Sequence, residues 1–305
     1  MKKFIITFIF IILFVLCYIY RDPLYNLYRT YIIKEPEKVS LDKKNEYYRD
    51  YDFNYVQRTD DFTPESKQDL LNIYYTVLNS GVDNFSFYCP SSYKECMDEV
   101  KNLANDQETL STINNFVHPY NSFRHLETAY DNYGKITLTI EKTYSDSDIS
   151  LINAKVDEVE QEIWTDNMSQ VDKIRAAHDY IINHSEYDSE RSDYNIVKYK
   201  SDTAFGPLLE GYSLCGGYTD AMALFLEDLK IKNYKIASAN HVWNALKLND
   251  GWYHLDLTWD DPITTTGQNL LEYHYFLITT NELLEKEKTQ HSFDQEIYSE
   301  VKENA

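Results

Sequence analysis

An α+β fold is predicted by three features of the sequence. A helical stripe follows Cys215, a hairpin pattern of alternating residues occupies 241–262, and short helices and strands alternate through 62–147. The expected divisions are an apolar segment at 1–21, an extension at 22–61, a small N-terminal α+β module at 62–147 and a second domain at 148–305. With 305 residues and 43% hydrophobic content the chain is long and apolar enough to bury a substantial core.

The apolar segment comes first. Residues 4–20 (FIITFIFIILFVLCYIY) lie behind Lys2 and Lys3 and end at Arg21 and Asp22. As a helix they span roughly 25 Å, short for a bilayer but extendable by interfacial tyrosines. The run does not end in the small residues that suit signal cleavage. Leu16, ahead of Cys17, is too bulky for a lipid-attachment site. An uncleaved transmembrane anchor is therefore expected, with the N-terminus inside and the remainder outside the cell. Residues 22–61, rich in tyrosine and mixed in charge, read as a stalk or packed extension rather than a Gly/Ser linker. The 29 basic and 50 acidic residues leave a net charge of −21. Such a surface repels phosphate backbones, which argues against nucleic acid as a partner.

In the module, Thr63 is expected to cap a helix with Pro64 in its first turn, and Leu70, Ile73, Tyr74 and Val77 supply the apolar stripe. Residues 85–89 read as a strand and 92–103 and 108–117 as helices. Residues 126–130, a turn at 131–134, and alternating Ile136, Leu138 and Ile140 read as a hairpin. Cys89 and Cys96 either close a small disulfide loop, as an extracellular setting favours, or remain two thiols. A helical pattern then runs from 148 to 182 with a break near Asn167. Ile174, Ala177, His178 and Ile181 share one face of it, so His178 reads as a buried, hydrogen-bonded histidine. No repeat, glycine-rich phosphate loop or Cys/His zinc pattern is present in the sequence, and neither metal nor cofactor is expected.

Chemistry gathers in the last third. Met222, Phe225, Leu226 and Leu229 repeat at helical spacing, so Cys215 stands at the first turn of a helix, where free amides and the helix dipole favour a thiolate. The alternative is a buried cysteine beside a tight turn. Gly216 and Gly217 would let an extended peptide approach the sulfur. A nucleophilic cysteine needs a base, and the base an orienting acid. Residues 241–248 and 252–262 form the expected hairpin, with His241, Trp243 and Ala245 on one face and Trp252, His254, Asp256 and Thr258 on the same side. A two-residue loop at 250–251 would pair Asp256 with Ala245, roughly 13 Å along the strand from His241. A loop at 249–250 pairs Asp256 with Trp243, diagonal to His241 and within reach. His254 is the rival base and Asp260 the rival acid.

These motifs resemble the transglutaminase-like superfamily in its bacterial cell-surface form. The matching stretches are HDYIINHSEYD at 178–188, TAFGPLLEGYSLCGGYTDAM at 203–222, HVWNALKL at 241–248 and GWYHLDLTWDDP at 251–262. They lie within 171–262, and YHYFLITTNELL at 273–284 with His291 fits the usual ending more loosely. The resemblance implies a papain-like core, a cysteine-bearing helix packed on an antiparallel sheet. It makes Cys215 the nucleophile, His241 the general base and Asp256 its orienter, in acyl transfer from a protein or peptide amide through a thioester. The Cys215 amide is one expected oxyanion donor; Gly216, Gly217, Tyr187 and Tyr212 are candidates for contacts to substrate or oxyanion. Relatives often carry Glu or Gln directly after the cysteine, where this chain has Gly216. A surface binding module that keeps the fold without catalysis is the competing expectation. Trp243, Asn244, Trp252 and Trp259 are expected to build the core, with Asn244 bracing the hairpin.

Overall fold

Residues 2–20, 39–131, 134–249, 251–262 and 270–304 are described by a computed structural model, without the side chains of residues 2–9, 303 and 304. Residues 22–38 of the expected extension, and positions 132, 133 and 250 of the two expected turns, lie outside the described residues. The apolar N-terminal run folds as helix α1 (Lys2–Ile19). Two lysines occupy its first turn, so its apolar part, residues 4–19, measures about 24 Å against a hydrocarbon core of ~30 Å. Among the described residues no helix is long and apolar enough to cross a membrane, and the anchor expected over residues 4–20 is not supported.

Residues 39–61 form neither helix nor strand but are packed down: Phe53 and Val56 are buried, and buried Arg49 reaches Glu227, Asn233 and the Phe116 carbonyl. Helix α2 (Lys67–Ser80) starts later than its sequence suggests. Ser66, not Thr63, is the cap, because Asp69 three residues on lets the two side chains close a reciprocal pair: Ser66 Oγ accepts the Asp69 amide and donates to Asp69 Oδ2. Its expected stripe, Leu70, Ile73, Tyr74 and Val77, is buried. Strand β1 (Asn84–Tyr88), helices α3 (Cys96–Asn105) and α4 (Gln107–Asn114), and strands β2 (Phe123–Tyr130) and β3 (Lys135–Lys142) follow. The strands form an antiparallel sheet in the order β1-β3-β2, with Ile136, Leu138 and Ile140 facing the core. Cys89 and Cys96 are joined as a disulfide that ties the end of β1 to the start of α3.

Helices α5 (Asp146–Ile163) and α6 (Gln170–Asn183) are separated where the break was expected, and each is opened by a Ser/Asp capping box. The short strand β4 (Glu186–Tyr187), helix α7 (Ser189–Tyr194) and strand β5 (Tyr212–Ser213) lead into α8 (Cys215–Asp228), with β4 and β5 running parallel. Strands β6 (Asn233–Ala237), β7 (Val242–Leu248) and β8 (Gly251–Leu255), helix α9 (Leu257–Asp260), strand β9 (Phe276–Ile278) and helix α10 (Thr280–Lys286) complete the chain order. The four strands make one antiparallel sheet, β6-β7-β8-β9.

Both faces of that sheet are covered. Leu246, Leu248 and Leu255 join α5, α6 and α8 in one apolar cluster. Tyr234, Ile236, Trp243, Ala245 and Trp252 join α2 and the three-stranded sheet in another. The second cluster thus takes residues from both sides of the boundary expected at 147/148. Asn244, on the α8 side, donates to the Thr219 carbonyl at 3.0 Å and so braces β7 against the helix rather than bracing the hairpin as expected.

The β7–β8 register decides whether the site can form. Leu248 pairs with Gly251, Ala245 with His254 and Asn244 with Leu255, so the loop occupies 249–250. Asn249 has φ 51°, the left-handed conformation that a tight two-residue hairpin loop needs. One step further, the register sets Asp256 opposite Trp243. Of the two loops the sequence allows, the structure adopts the one that brings Asp256 to His241.

The disulfide closes a loop of seven residues' separation, for which chain entropy gives about 2.5 kcal/mol. Reduction with dithiothreitol is expected to lower the urea midpoint accordingly, and unchanged midpoints with and without reductant would show that the bond contributes nothing.

Candidate active site

Cys215 is the first residue of α8 and is partly exposed. Its N-cap is Leu214, which has no side-chain acceptor, so the amides of the first turn are left uncapped by any side chain at the thiol's own end of the helix. The Thr219 hydroxyl stands 2.7 Å from the Cys215 carbonyl and 3.1 Å from that of Val242, joining this turn to β7.

The two glycines serve a different purpose from the one the sequence implies. A side chain on Gly217 would lie 2.3 Å from the Ser201 carbonyl and 2.7 Å from Ser213 Oγ; one on Gly216 would lie 2.9 Å from the Asp202 carbonyl. The backbone that comes close is the chain's own segment 201–203, held by the Leu214 amide donating to the Ser201 carbonyl at 2.7 Å. Gly216 and Gly217 are therefore packing requirements of the turn bearing Cys215.

His241 immediately precedes β7 and is buried, its ring stacked on Trp243 with centroids 5.6 Å apart. Its Nε2 donates to Asp256 Oδ2 at 2.6 Å, and the Cys215 thiol lies close enough to add to the electrostatics of the ring. Because Nε2 is taken by the carboxylate, Nδ1 is the nitrogen left for the sulfur. Asp256 is 1% exposed and caps α9: its Oδ1 accepts the amides of Thr258 (3.0 Å) and Trp259 (3.3 Å). Thiol, imidazole and carboxylate are thus brought together from a helix, a strand start and a helix cap.

The electrostatics follow from this geometry. Burial disfavours a charged imidazole, but the charge and hydrogen bond of Asp256, with help from Cys215, outweigh it and push His241 up to about 10. Burial likewise disfavours the Asp256 carboxylate, yet His241 and a second histidine hold it well below the usual carboxylate range.

That second histidine is His291, which in the sequence is only a loose match to a family ending. Its Nε2 lies 2.8 Å from the same Asp256 Oδ2, and its Nδ1 lies 3.3 Å from Glu287 Oε2. It is fully buried among Tyr275, Trp243 and Trp259. Against the opposing effect of burial, the backbone amides of Thr289, Gln290 and His291 hold Glu287 down at about 2. His241, Asp256 and His291 also make a compact set of metal-type donors. Their N–O separations of 2.6 and 2.8 Å are those of imidazole N–H groups donating to a carboxylate. Two ligands on one tetrahedral zinc stand about 3.4 Å apart.

The rivals are engaged elsewhere. His254 accepts the Trp243 indole N–H at 3.0 Å and meets Thr280 Oγ1 at 3.0 Å; burial takes it down to about 3, so it is a neutral core group. Asp260 pairs with His178 Nε2 at 3.2 Å and accepts the Tyr275 amide, and His178 is the buried, bonded histidine its spacing implies. Of the candidate tyrosines, Tyr187 is half-buried, and burial first and the neighbouring Cys215 among lesser causes push its hydroxyl up, while Tyr212 stacks on Tyr199 at 4.1 Å.

No protein-family model and no curated protein matches the chain. Among solved structures it is similar to a TGase at 15% identity, over 45% of this chain and 44% of that one, with a TM-score of 0.31. It is also similar to a candidate cysteine protease from Cytophaga hutchinsonii at 12% identity, over 44% of this chain and 61% of that one, with a TM-score of 0.27. The chain spans less than two thirds of either protein.

A stability measurement reports on the pair. His241 binds its proton more tightly in the folded chain than at its ordinary value of 6.5, so its contribution is fully present below about pH 6.5 and is lost as the pH rises to about 10. In urea titrations the stability gap between the parent and His241→Gln is expected to narrow across that window. A gap that stays constant with pH would mean that no charged pair exists.

Proposed function

We propose that the chain is an extracytoplasmic cysteine-dependent acyl-transfer enzyme of the transglutaminase-like kind, acting on protein or peptide amides. The observation that carries this reading is the series Cys215–His241–Asp256 at an uncapped helix N-terminus. Asp256 holds the Nε2–H form of His241 and turns Nδ1 toward the sulfur. His241 takes the thiol proton, and the sulfur attacks the carbonyl carbon of the substrate amide. The negative oxygen that develops faces the first-turn amides, with the Cys215 N–H as a donor. His241 then gives its proton to the departing amine, which leaves a thioester on Cys215.

Water attacking the thioester gives hydrolysis, and a lysine amine gives a cross-link. Hydrolysis is the favoured outcome, since water is always present outside the cell. The disulfide supports an oxidising setting for the folded domain, and the excess of acidic residues argues against nucleic acid as substrate.

A general protein substrate such as casein, incubated with the chain and analysed by mass spectrometry, is expected to show cleaved or deamidated amides. Cys215→Ala is expected to lower the rate by at least about 10³-fold. New amide cross-links would replace hydrolysis by transfer to amines, and equal activity in Cys215→Ala would remove the enzyme reading.

A further inference from the structure

Asp256 is served by four donors, which is all a carboxylate accepts in its plane. The Thr258 and Trp259 amides take Oδ1; His241 and His291 share Oδ2. The two imidazoles stand edge to face, at 89° with centroids 5.4 Å apart, so each reaches the oxygen along a different direction. Tyr275 stacks on the His291 ring at 16°, and Trp243 meets its edge. Glu287 accepts at the far nitrogen. A flipped ring would turn a carbon toward Asp256 and lose both contacts.

We propose that His291, seated between Asp256 and Glu287, is a positioning residue for His241. It fills the second lone pair of Oδ2, which fixes the carboxylate plane and with it the tautomer and direction of the His241 ring. Without that donor a buried oxygen is left half-satisfied, and the carboxylate gains freedom to tilt away from His241. Glu287 acts one step further out by holding the His291 ring in register. His291 is fully buried and its ring hydrogen-bonds Asp256 and Glu287, so its effect reaches the sulfur through Asp256 and His241. This role rests on the reading of Cys215 and His241 as the reacting pair.

The test needs no substrate. In the full chain carrying Cys17→Ser, Cys215 is the remaining free thiol, and its alkylation by iodoacetamide at pH 7 reports on the pair. His291→Leu is expected to slow the reaction about tenfold, the effect of one hydrogen bond to a charged group. His291→Gln, whose amide keeps a donor toward Asp256, recovers most of the rate, and Glu287→Gln slows it less than His291→Leu does. A His291→Leu rate equal to the parent's overturns the proposal. Nitrogen NMR of the unaltered, 15N-histidine-labelled chain gives a reading that does not depend on any variant folding. Both His241 and His291 are expected to carry a proton on Nε2, and a bare His291 Nε2 overturns the proposal. His241→Ala separates the two levels: a slow His241→Ala with a normal His291→Leu sinks the positioning role alone, whereas a His241→Ala as fast as the parent sinks the reacting pair and the positioning role together.

Discussion

The site is organised around one buried carboxylate. Asp256 has almost no contact with water, and an ionised carboxyl in such a place is sustained only by donors that meet every lone pair. Meeting them requires four separate parts of the chain to converge. Strand β8 must carry Asp256 at its end, β7 must hold His241 alongside, the turn into α9 must aim two amides at Oδ1, and the C-terminal segment must deliver His291. The two tryptophans and Tyr275 around His291 are large enough to keep solvent out, and so make each of these bonds stronger than it would be at the surface. Fold and chemistry are in this sense the same problem: a packing error in any of the four parts would leave a charge without partners.

Helix α8 carries the second constraint. Buried from Gly217 to Leu226, it lies between the sheet and helices α5 and α6, and opens to the outside only at its two ends. The 201–203 segment presses so closely on that turn that side chains there have no room. The sulfur is thus held at a fixed point on a rigid element, and His241 comes to it from the sheet. Two elements locked through Thr219 and Asn244 define the distance between nucleophile and base, which loops alone would leave loose.

Much of this could be read in the chain. Periodicity located α8, and the alternating hairpin identified which residues share a face. Of two registers open to the turn, the requirement that Asp256 reach His241 favours one, and the structure adopts it. What stayed hidden depends on residues distant in sequence. His291 lies 35 positions beyond Asp256 and is recruited by an aromatic cage with no spacing rule. The glycines after Cys215 announce a close approach, but not that the approaching backbone is the chain's own. Thr63 and Ser66 are both plausible caps, and the carboxylate of Asp69 favours the second. The N-terminal run is apolar enough to invite a membrane reading, yet the lysines at its head shorten the apolar span.

The two-residue loop after β7 has a consequence for how such a chain can change over time. Side chains alternate faces along a strand, so inserting or deleting one residue at 249–250 would turn Asp256 toward α8 and strand His241 without its acid. Replacement at Asn249 by glycine, which also adopts the left-handed conformation, leaves the register untouched. This short turn therefore accepts variation in composition but not in length. Among descendants of the sequence, its length would be inherited as strictly as the reactive residues themselves.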